Sequence, residues 1–153
     1  MEILWSRNIT AGALHMFNFI TCFYLALTNT NIKAFKIGLT TLFLDWDTAT
    51  KSVTQKLEVQ YELPFVLSIS FFALISALAH GTCLLFWDKY TEDLKKGLNR
   101  FRWWEYALSS SLMIVQICML FGVWDIFSLV FIACINAGMN LFGDIHELLN
   151  AGR

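Results

Sequence analysis

Four stretches of this chain run for about the thickness of a membrane with almost no charge. Residues 9–27 carry no Asp, Glu, Lys or Arg, nor do residues 63–87 or 126–143, and residues 103–124 carry Glu105 alone. About 20 mostly apolar residues in a helix cross about 30 Å of hydrocarbon. Lipid offers the backbone no hydrogen-bond partner, so a segment of this length satisfies itself only as a helix. The expectation is therefore a single all-α membrane domain with four transmembrane helices. The first stretch lacks a basic leader and a small-residue cleavage site, and three more follow, so it reads as a span rather than a signal peptide.

Composition agrees. Of 153 residues, 57% are apolar and only 15% charged, against about 45–50% and about 25% in soluble domains. This argues against disorder, a nucleic-acid binder and a soluble enzyme. Cys22, Cys83, Cys118 and Cys134 all fall in apolar stretches and form no CxxC pair. They read as small buried hydrophobes.

Lysine and arginine set the orientation. With four spans, one side holds Arg7, Lys89, Lys95, Lys96, Arg100, Arg102 and Arg153, and the other holds Lys33, Lys36, Lys51 and Lys56. The richer side is expected to be cytoplasmic, so the N-terminus and the 88–102 loop lie inside. Trp87, Trp103, Trp104 and Trp124 mark span ends, as an aromatic belt does. In the outer 28–62 loop, Val53, Gln55, Leu57, Val59 and Tyr61 alternate with Thr54, Lys56, Glu58 and Gln60. That period of two predicts a strand. With the β-rich 37–46 segment and a turn at 47–51, it predicts a β-hairpin. Asp125 alone separates the last two spans by charge, so they form a tight helical hairpin.

Ionisable groups inside spans are expensive and usually functional. Here they are His15, His80 and Glu105. At about 1.5 Å per residue, both histidines lie roughly 10 Å from the cytoplasmic boundary, and Glu105 enters from that same side. Helical spacing puts Glu105, Ser109, Leu112 and Gln116 on one face with Met113 beside it. His80 shares a face with Ala73, Ser76 and Ala77, and His15 with Ala11, Asn18 and Cys22. Asn136, Asn140 and Gly143 form a fourth stripe. All four stripes can converge. The bland alternative is that such residues simply glue helices together. It fits Glu105 least, because a carboxylate in hydrocarbon needs a cation, a proton or water. Arg102, one turn earlier, is one candidate cation, and a positive group from another helix is the other. Asp144, His146 and Glu147 follow the fourth span as interfacial charges expected to be solvated. An HxE pair without a third ligand is a weak metal signal, so no metal site is assigned. No nucleophile–base pair points to an enzyme.

The run Arg102-Trp-Trp-Glu-Tyr-Ala-Leu-Ser-Ser-Ser-Leu-Met113 resembles the third helix of the heliorhodopsins. Asn136-Ala-Gly-Met-Asn-Leu-Phe-Gly143 followed by Glu147-Leu-Leu-Asn150 looks like the fourth, and Ala13-Leu-His15 and the His80 segment look like the first and second. The third-helix segment looks like that of a viral branch of the family. The resemblance implies four helices of a seven-helix rhodopsin-like bundle, a retinal cofactor, light sensing and a homodimer. It implies Glu105 as counterion of a protonated retinal Schiff base with Ser109 beside it. Met113 and Asn136 would border the retinal. His15, Ser76, His80 and Glu147 would belong to a polar, proton-accepting cytoplasmic cavity. One departure matters. Heliorhodopsins attach retinal to a lysine in the seventh helix, whereas all seven lysines here lie in loops. The chain is thus expected to be the N-terminal part of a longer protein. A light-activated proton or ion channel of the same family and a cofactor-free four-helix membrane scaffold are the alternatives.

Overall fold

The computed structural model describes residues 1–151, so Arg153, counted above on the inner side, lies outside the described residues. Helix α1 spans Glu2–Thr28 and the short α2 Thr30–Ala34, followed by strands β1 (Lys36–Asp47) and β2 (Ser52–Pro64). Then come α3 (Phe65–Leu85), α4 (Trp87–Lys95), α5 (Arg100–Leu120) and α6 (Ile126–Asn150). Among the described residues, three helices are long and apolar enough to cross a membrane: α1, α3 and α6. Helix α5 matches α3 in length at 21 residues, but Arg100, Arg102 and Glu105 crowd its first turns.

Several boundaries differ from the sequence reading, each for a local reason. Helix α1 starts at Glu2 instead of residue 9, with an acidic residue in its first turn where the helix dipole favours one. The 88–102 segment is not all loop. It holds α4, which has an acidic first turn, a basic last turn and Tyr90 and Thr91 buried. Helix α6 runs past Gly143 to Asn150, because two acids beyond that glycine are held by α5. Of the cysteines, only Cys83 is buried, and Cys134 is exposed. An apolar Cys facing lipid needs no protein cover.

The long helices pack in a row, α1 on α3, α3 on α5 and α5 on α6. Their polar stripes therefore meet in neighbouring pairs rather than at one point. On the outer side of the row, α6 shows Phe127, Phe131, Ile135, Met139 and Phe142 exposed, a stripe at helical spacing suited to lipid.

The expected hairpin forms. Strands β1 and β2 pair antiparallel from Asp47↔Ser52 to Lys36↔Pro64, with a bulge after Leu39. Asp47 closes the turn by accepting from the Ala49 N–H and the Thr50 hydroxyl, each at 2.8 Å. The hairpin base is tied to the α5–α6 connection, where Thr40 N–H donates to the Trp124 carbonyl at 2.9 Å. Ile37, Phe65, Met119 and Leu129 form a buried cluster there, joining β1, α3, α5 and α6. Helix α5 stops at this cluster through Gly122, whose φ of +91° suits glycine. The Val123 N–H returns to the Cys118 carbonyl at 3.0 Å and the Gly122 N–H to Met119 at 3.2 Å, satisfying carbonyls that the helix end leaves open. Asp125 then caps α6 by accepting from the Ser128 N–H at 2.8 Å.

Candidate functional site

The α1–α3 seam carries the two histidines. Gly12 makes the approach possible, since a Cβ there would lie 3.2 Å from the His80 Cβ. The His15 and His80 rings stack with centroids 5.7 Å apart and planes 15° apart. His80 Nδ1 lies 2.9 Å from Asn8 Oδ1, and the Asn8 amide donates to the Leu4 carbonyl at 3.0 Å. Asn8 was not among the residues singled out by sequence. It falls just before the charge-free stretch, and its signal was the continued helical spacing to Ala11 and His15. Ser76 is buried one turn from His80 on α3.

Below the histidines an aromatic chain closes the seam. Trp5 meets Trp87 edge-on at 4.8 Å, and Tyr90 meets Trp87 at 5.8 Å and Phe101 at 5.6 Å. Burial pushes the Tyr90 phenol above its ordinary value.

The α5–α6 seam is held at the start of α5. Glu147 accepts from the Asn99 N–H at 2.8 Å, Arg102 Nη2 at 2.8 Å and the Trp103 indole N–H at 2.9 Å. Asp144, 5% exposed, pairs with Arg100 at 3.4 Å. These two acids are built into the helix contact and are not the solvated charges expected. The Trp103 ring fills the space a side chain at Gly143 would need, and the Arg102 guanidinium sits 4.7 Å over that ring. Further along, Asn136 donates to the Ser110 and Ser111 hydroxyls at 2.7 and 3.1 Å, and Asn140 to Ser110 at 3.1 Å.

Glu105 stands apart from all of this. Arg102, the expected partner one turn earlier, turns to α6 instead, because Glu147 there offers a carboxylate with two further donors already in place. No described Arg or Lys forms an ion pair with Glu105. The carboxylate is half-buried and borders a groove of about 480 Å³ between α3, α4 and α5. Ile75, Leu78, Ala79, Phe101, Trp104 and Leu108 supply its apolar wall. Ser109 is buried on the same helix, Gln116 crosses to the Ser68 carbonyl at 2.8 Å, and Met113 is exposed. The structure thus joins His15 to His80, joins Asn136 to α5, and keeps Glu147 on the α5–α6 seam. It leaves Glu105 on the α3–α4–α5 groove, which Lys89, Asp93 and Arg100 also line.

The profile of one protein family, Heliorhodopsin, matches residues 4–153. The chain belongs to the heliorhodopsin family. It is a rhodopsin-like, light-sensing integral membrane protein. No curated protein matches it. Within the heliorhodopsin frame, the exposed apolar stripe of α6 and the tryptophans at the helix ends belong to a bilayer environment.

Proposed function

We propose that these helices form four of the seven transmembrane helices of a retinal photoreceptor, with Glu105 as counterion to the chromophore's positive charge. The observation that carries this reading is the unpartnered state of Glu105. Both arginines of its helix are taken by Glu147 and Asp144, so the carboxylate is left for a charge from outside these helices. A carboxylate on an apolar groove strongly favours a cation beside it. Retinal supplies light absorption and, on illumination, a change of shape at a charged end.

The residues fit that group in part. The groove sets an apolar wall beside Glu105, with Lys89, Asp93 and Arg100 also lining it, and an apolar wall next to a carboxylate suits a cationic polyene. The attachment lysine is not among them, since Lys33, Lys36, Lys51, Lys56, Lys89, Lys95 and Lys96 all lie outside α1, α3, α5 and α6. In this reading further helices close the row and bring the lysine. Ser109 sits beside the counterion, and Met113 and Asn136 border the chromophore. His15, Ser76 and His80 line a polar cavity that accepts a proton, with Glu147 at its inner edge. The inner face holds the N-terminus, and the protein pairs as a homodimer.

The test is pigment formation. Full-length protein in membranes, given all-trans retinal, should develop a visible band that changes on illumination. A protein that stays colourless contradicts the reading.

A further inference from the structure

His80 and Asn8 meet through a ring nitrogen and an amide oxygen, 2.9 Å apart. An amide oxygen has no hydrogen to give, so the hydrogen in this contact belongs to the imidazole. The orientation of the Asn8 amide is fixed at its other end. Its nitrogen donates to the Leu4 carbonyl at 3.0 Å, and a carbonyl only accepts. Rotating the amide would set two oxygens against each other there. Nδ1 of His80 therefore carries the hydrogen. A neutral imidazole has one such hydrogen, so Nε2 is bare.

We propose that Asn8 is a positioning residue that locks His80 in the Nδ1–H tautomer and so presents Nε2 as the proton-accepting atom of the α1–α3 seam. The tautomer stands on geometry alone. Only the source of the proton rests on the light-sensing reading. The arrangement suits an acceptor. A proton arriving at Nε2 produces an imidazolium while the Nδ1–H bond to Asn8 stays intact, so His80 changes charge without losing its anchor. The close helix crossing at Gly12 keeps Asn8 and His80 in register.

The experiment is side-chain nitrogen NMR on full-length, histidine-labelled protein in lipid, with the His80 signals identified by their loss in His80→Gln. Wild type should show a protonated Nδ1 and a bare Nε2. Asn8→Leu should lose that preference, and Asn8→Asp, which keeps an acceptor oxygen, should retain the Nδ1 proton. A protonated Nε2 in dark wild type overturns the proposal, whether or not any variant folds. An unchanged Nδ1–H form in Asn8→Leu also overturns it. A colourless protein whose His80 still shows the Nδ1–H form would remove the light-sensing reading and leave the role of Asn8 standing.

Discussion

Arg102 and Glu105 lie one helical turn apart on α5 and do not pair. Arg102 Nη2 instead reaches Glu147 Oε1 on α6 at 2.8 Å. This division of labour gives one acid to helix packing and keeps the other available.

Glu147 holds three donors of α5 at once. Glu147→Ala should destabilise the protein by about 1.5–3 kcal/mol, the range for hydrogen bonds to charged groups. Thermal unfolding in detergent measures this, and an unchanged midpoint would show that the latch contributes nothing.

Gly143 is the seat of the Trp103 ring. Gly143→Ala should cost about 1–3 kcal/mol through overpacking. The same change in a Trp103→Ala background should cost much less, because the clash is between these two groups. Equal losses in both backgrounds would mean that the ring is not what position 143 accommodates.

Asp125 accepts from the Ser128 N–H and hydroxyl, each at 2.8 Å, and the backbone bond is the main reason its carboxyl lies below the ordinary range. The folded state therefore favours the ionised form. The cap's contribution is complete above the ordinary carboxylate range and fades as acid titrates the depressed folded value. Asp125→Asn keeps an acceptor without that titration. Wild type should lose thermal stability in acid relative to Asp125→Asn, and parallel profiles would contradict this.

Orientation has a direct readout. Ser52, beside the hairpin turn, and Lys95, at the end of α4, are both exposed. With the N-terminus inside, Ser52→Cys should react with a membrane-impermeant maleimide on intact cells, and Lys95→Cys only after lysis. The reverse pattern would invert the topology.

Much of this was legible in sequence. The hairpin followed from the alternation at 53–61, and the apolar helices from their freedom from charge. Comparing depths on two antiparallel helices set His15 and His80 at one level, but it grouped Glu105 with them equally, and only the packing of α1 on α3 decides that the two rings stack. What escaped was pairwise detail. Arg102 is the same distance along the chain from Glu105 whichever way its long side chain turns, and only the position of Glu147 on α6 decides. Gly143 read as part of a small-residue stripe, whereas its use depends on the ring opposite. Asn8 lay outside the charge-free stretch because a helix continues through polar residues that hydropathy treats as an end.

The central claim is that Glu105 neutralises a cationic chromophore. Its most direct test is the absorption spectrum of full-length Glu105→Gln reconstituted with all-trans retinal beside wild type. The account predicts a band displaced or bleached in the variant. A variant band superimposable on the wild-type band would contradict it.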